Sequence, residues 1–102
     1  MTNGKPRSSI SKRTSAIING VLWCIQFKRR MPPGFKGLAD REKRLILCQD
    51  RLGEVERLTT LIHEVRHAQN WDLEEAAIVR ESEELAKVLL ALGYSRGPPP
   101  PL

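Results

Sequence analysis

The chain of 102 residues contains two histidines, and both lie in one short stretch, His63-Glu64-Val65-Arg66-His67. On an α-helix, residues four apart sit one turn above each other on the same face. Two imidazoles so placed can reach a single zinc ion, at about 2.0–2.1 Å from each ligating nitrogen. Glu64 follows the first histidine and can lie beside the open coordination position. A carboxylate there can take a proton from water that the metal has acidified. The spacing is the HExxH pattern, and chance placement in a chain of this composition gives roughly 0.003 occurrences. Without Glu64, the two histidines would read as partly buried helix residues bonded to backbone or to carboxylates. With it, His63 and His67 read as metal ligands and Glu64 as a general base.

Catalytic zinc takes three protein ligands and keeps one open position. The sequence has no third histidine. Cys48 can ligate zinc, but it precedes the motif in an apolar run that reads as a buried strand. The segment after the motif is the better source. With about 100° per residue counted from Leu73, the apolar face centres near Ile78, Leu85, Ala86, Leu89 and Leu92. Glu75 falls at about 200°, in the middle of that face, where a carboxylate is costly unless something pairs with it. Glu75 is therefore the expected third ligand. Glu74, Glu81 and Asp72 are the alternatives, and a first-turn glutamate favoured by the helix dipole is the plain reading of Glu75. Ser82 shares the face. It reads as a hydroxyl bonded to a ligand or as a small residue at a tight helix crossing.

These residues need two helices to carry them. Val55, Leu58, Leu61, Ile62 and Val65 recur at helical spacing and predict a helix over about 54–70. A second is predicted over about 73–92, with Asp72 as its N-cap and Gly93 just past its end. The joint Asn70-Trp71-Asp72 is short, so the helices should be neighbours, with Trp71 as a wedge between them. Upstream the pattern is that of strands. Ala16-Ile17-Ile18 and the run Val21 to Phe27 flank Asn19-Gly20, a strong hairpin signal because both turn positions accept positive φ. A basic loop, Lys28-Arg29-Arg30-Met31-Pro32-Pro33-Gly34, follows. Gly37-Leu38-Ala39-Asp40 reads as a short edge strand, and Leu45-Ile46-Leu47-Cys48 as a buried one. A meander of this kind predicts a mostly antiparallel sheet. The fold class is thus α+β: a small antiparallel β-meander followed by two packed helices over residues 15–95. Residues 1–14 read as a disordered basic arm and residues 96–102 as a disordered proline-rich tail.

With these parts in place, the stretch Thr60-Leu61-Ile62-His63-Glu64-Val65-Arg66-His67-Ala68 is similar to the active-site helix of zincin metallopeptidases. More broadly, residues 34–94 resemble small phage-type and bacterial SprT-like or minimal gluzincin proteins in the order of their parts. The resemblance implies that His63 and His67 are zinc ligands, that Glu64 is the general base and that Glu75 is a helix-borne ligand. It implies attack of zinc-activated water on a peptide carbonyl. It also implies an edge strand along the cleft that pairs with an extended substrate, for which Gly37–Asp40 is the candidate. Arg66 stands where an uncharged residue is usual, and is expected to point to solvent or to pair with a carboxylate. Tyr94 is expected to pack at a helix end, or else to donate to the transition state.

Composition narrows the classes. Hydrophobic residues are 40% and charged residues 28% of the chain, ordinary for a globular domain. No apolar run approaches the roughly 20 residues that span a bilayer, and the polar N-terminus lacks the apolar stretch of a secretory signal. Cys24 and Cys48 are too few for a disulfide scaffold, so a cytoplasmic protein with reduced thiols and no membrane partner is expected. Residues 1–44 carry a net +9 and residues 45–102 a net −4. That asymmetry supports a rival reading: a non-catalytic interaction module whose basic N-terminal half binds nucleic acid or an acidic partner. A metal hydrolase acting on a non-peptide substrate is the second rival. The leading expectation is a zinc-dependent peptidase acting on a peptide or protein.

Overall fold

The computed structural model describes residues 12–94. In chain order these form β1 (Lys12–Ile18), β2 (Val21–Lys28), β3 (Gly37–Asp40), β4 (Leu45–Gln49), α1 (Glu54–Gln69) and α2 (Glu75–Ala91). The fold is α+β, as expected, with one sheet followed by two helices. The proline-rich tail and most of the basic arm lie outside the described residues. The arm's last three residues do not: Lys12, Arg13 and Thr14 belong to β1 and pair with Phe27, Gln26 and Ile25. β1 lies at one edge of the sheet, where Arg13, Thr14 and Ser15 remain exposed. A polar sequence can form a strand there, because the pairing uses backbone groups and needs no apolar face.

The Asn19-Gly20 turn forms as predicted, with φ of 52° and 76°, and it sets the Ile18–Val21 register of the first hairpin. The rest of the sheet differs from a simple meander. The strand order is β1-β2-β4-β3. The β1–β2 and β3–β4 pairs are antiparallel, whereas β2 and β4 are parallel. The physical reason lies in the strands themselves. Leu45-Ile46-Leu47-Cys48 is an unbroken apolar run, with Ile46 and Cys48 fully buried; such a run belongs in the interior of a sheet. Gly37–Asp40 is short and carries a glycine and an aspartate, which suits an edge. The eight residues 29–36 easily span the two strand spacings, about 10 Å, needed to skip one position.

One face of the sheet meets α1, and α2 packs against α1. Ile18, Trp23, Ile46 and Ala68 form the buried cluster, with Val21, Ile25, Ala39, Leu61, Val65 and Trp71 packed on it. Ile78, Ser82 and Ala86, spaced by four, are fully buried along one face of α2. Asn19 at the hairpin tip donates from Nδ2 to the Gln69 carbonyl at 2.6 Å, tying the turn to the end of α1. The start of α2 departs from expectation. Its N-cap is Glu74, not Asp72, and no side chain caps it. Asn70 accounts for this, since its Oδ1 accepts the Asp72 N–H at 3.0 Å and holds residues 70–72 in a turn. At the other end Gly93 has φ 91°. The Gly93 N–H bonds the Leu90 carbonyl at 3.0 Å and the Tyr94 N–H bonds that of Leu89 at 2.9 Å, which is the Schellman closure.

Candidate metal centre

The short joint after α1 returns the first turn of α2 to the last two turns of α1. That places Glu75 opposite His63 and His67. Glu75 Oε1 lies 2.9 Å from His67 Nε2, and Glu75 Oε2 lies 3.1 Å from His63 Nε2. The two Nε2 atoms are 3.2 Å apart. One ligand atom from each of these three residues lies within 4.8 Å of the others. The donor set, two imidazole nitrogens and a carboxylate oxygen on two helices, is one that suits zinc.

The three alternatives to Glu75 lie elsewhere. Glu81 accepts a 2.8 Å bond from Arg66 Nη2, which also answers what Arg66 does: it pairs with a carboxylate and fastens α1 to α2. Glu74 stands at the N-cap position of α2 with an exposed side chain, and Asp72 is exposed in the turn. Glu75 differs from expectation in its surroundings. Its wheel position is on the inner face, yet its side chain is 62% exposed, because it is the first residue of α2 and has no preceding turn to cover it. Ser82 does not bond a ligand. It is fully buried and its hydroxyl has no partner among the described residues. Cys48 is buried on β4 with its thiol near the Gln49 and Arg57 carbonyls, and Cys24 and Cys48 form no disulfide. Tyr94 is not at the centre; it lines an apolar groove with Phe27, Leu58 and Leu61, beside the first half of α1.

Two neighbours of the centre carry little signal in the sequence. Trp71 packs on the core formed by the sheet and α1, and its indole also stacks on the His67 ring, with centroids 6.2 Å apart and planes 24° apart. Gly37, the first residue of β3, lies against α1. A Cβ there would stand 2.6 Å from Thr60 Cγ2 and 2.9 Å from Glu64 Cγ. Gly37 and Glu64 share a groove of about 310 Å³ with Gly34, Phe35, Lys36 and His63. Lys36 above it is ion-paired with Glu56.

Glu64 sits beside β3, an edge strand of the described sheet, and is partly removed from water. Burial raises its carboxyl above the usual range; His67 opposes the shift and Glu75 adds to it. A carboxyl with a raised folded-state pKa stabilises the fold when protonated, below its unfolded value, and that contribution is lost as pH rises through the folded value. Metal-free Glu64→Gln is therefore expected to melt above the wild type at pH 7–8, by a margin that solvent screening of this partly exposed group keeps small. The two melting curves should converge as the pH falls toward 4. Thermal denaturation with a chelator present, scanned over pH, checks this; a pH-independent difference would contradict it.

No known family model matches the chain, and no curated protein and no solved structure matches it either.

Proposed function

We propose that the chain is a zinc-dependent peptidase. The observation that carries the reading is the meeting of His63, His67 and Glu75 around one point, with Glu64 alongside and next to it the edge of β3, which no strand of the described residues pairs. His63, His67 and Glu75 would hold the ion. Bound zinc supplies Lewis acidity, lowering the pKa of water and polarising a carbonyl. Glu64 supplies the proton traffic: its carboxylate takes a proton from the attacking water and returns it to the leaving amine. A carboxyl shifted upward is a stronger base for this task than a solvated one. β3 offers its outer backbone N–H and C=O groups to an extended peptide, which would lie across Glu64 as an added strand. Trp71 stacks on His67 and helps to fix that ring's orientation.

The experiment is incubation of the zinc-loaded full chain with a mixture of peptides, followed by mass spectrometry of new termini. New termini with the wild type, absent with Glu64→Gln that still holds zinc, support the reading. Zinc bound in both proteins with no new termini in either would overturn it. Hydrolysis of small amides but of no peptide would move the reading to another class of metal hydrolase. No helix of the described residues is long and apolar enough to cross a membrane.

A further inference from the structure

A second cavity, of about 450 Å³, opens at the far end of α1 from the Gly37 groove and is lined by Asn19, Arg41, Arg44, Gln69, Trp71 and Asp72, among others. Its wall is continuous with the metal centre through Trp71, which stacks on His67. The indole also meets the Arg41 guanidinium, 5.7 Å from the ring centroid. Neither Arg41 nor Arg44 has an ion-pair partner among the described residues. Asp72 shares the cavity and is paired with neither, whereas Asp40, whose Oδ1 accepts the Lys43 N–H, does not line it. The cavity thus presents two open guanidinium groups against one carboxylate.

Arg44 carries a second mark. It holds φ of 52°, a left-handed backbone that glycine and asparagine adopt with least strain. The other hairpin fills its left-handed positions with Asn19 and Gly20. At the turn beside the cavity the position holds an arginine instead, so backbone comfort does not explain the residue.

We propose that this cavity is a subsite for an acidic side chain of the peptide bound along β3; the proposal rests on the peptidase reading above. Gly37 lies against Glu64 at one end of the strand, and Arg41 follows Asp40 at the other. Four residues of extended chain cover about 13 Å. A peptide paired with β3 therefore brings a side chain to the arginines about four residues from the group that faces Glu64. There a carboxylate meets guanidinium donors in the fork geometry that suits it, beside the indole face.

The test uses full-length Glu64→Gln in zinc buffer and fluorescence anisotropy with labelled nine-residue peptides of alanine, valine and glycine. One glutamate is walked along the sequence, and each peptide is compared with its glutamine counterpart. One position should favour glutamate about five- to tenfold at low salt and less as salt rises. Arg41→Gln with Arg44→Asn should remove that preference. Arg44→Asn suits the backbone, so a folded variant is expected; circular dichroism and unchanged affinity for the glutamine peptide confirm it. No preference at any position overturns the proposal, as does a preference that survives both substitutions. Displacement of the peptides by a short single-stranded oligonucleotide that binds through the same arginines more tightly also overturns it. Failure of the peptidase reading is separate: a glutamate preference lost in the double variant, with no cleavage by the wild type, retains the subsite and rejects the peptidase.

Discussion

His63→Ala and His67→Ala are each expected to weaken zinc binding about a hundred- to a thousandfold, taking the roughly 10–16 kcal/mol of a structural four-ligand site as spread over its ligands. Glu75→Ala should cost less, about ten- to a hundredfold, because its side chain is 62% exposed and water can take its place. Glu64→Gln should keep wild-type affinity, since Glu64 is not among the three converging residues. Stability should follow affinity. A ligand held at a thousand times its dissociation constant stabilises the folded state by about 4 kcal/mol. In a domain of this size each kcal/mol moves the melting temperature by about 4–8 °C. Zinc should therefore raise the melting temperature of the wild type and Glu64→Gln by roughly 15–30 °C, that of Glu75→Ala by less, and that of the histidine variants little. Metal analysis after gel filtration, with calorimetry on the same samples, checks both. An equal rise in His63→Ala and wild type would place the zinc elsewhere in the chain.

The parts of this centre that could be read from the sequence are those fixed by local periodicity. The four-residue spacing of His63 and His67 fixes their shared face on any α-helix. The phase of Glu75 relative to Ile78 and Ala86 was enough to aim it at α1, because the joint before α2 is too short to allow another approach. Turn chemistry was legible for the same reason: Asn19-Gly20 and Gly93 hold the positive φ values that their types predict. What the sequence hid depends on partners distant along the chain. The run Leu45 to Cys48 reads as buried, but nothing in it says that its neighbour is β2 in parallel. Lys12, Arg13 and Thr14 look like an arm until Ile25, Gln26 and Phe27 are seen opposite them. The exposure of Glu75 follows from its place at the helix end, which a wheel does not represent. Gly37 and the Trp71–His67 stack are tertiary contacts with no local pattern at all.

The contact at Gly37 gives the second large effect. Gly37→Ala places a methyl group 2.6 Å from Thr60 Cγ2, 2.9 Å from Glu64 Cγ and 3.0 Å from Glu64 Oε2. Something must shift, and overpacking of this kind costs about 1–3 kcal/mol. The melting temperature should fall by roughly 5–20 °C. Thr60→Ser removes the nearest atom, Cγ2, without taking the hydroxyl from α1. The double variant should regain at least half of the lost stability, a coupling expected of residues in direct contact. Cleavage should not return with it. The methyl group still crowds Glu64, so the carboxylate must turn away from the edge of β3 where a peptide would lie. The three ligands are untouched, so zinc content should be that of the wild type in all three variants. Stability, zinc content and peptide cleavage should therefore separate: the first partly rescued by Thr60→Ser, the second never lost, the third down by about a hundredfold in both variants, the size of effect ascribed to a misplaced general base. Full recovery of cleavage in the double variant would show that β3 tolerates the added methyl group and that the close approach of Gly37 to Glu64 is packing alone. Its persistence as a loss, with the fold and the metal intact, would tie the missing side chain at Gly37 to the position of the base.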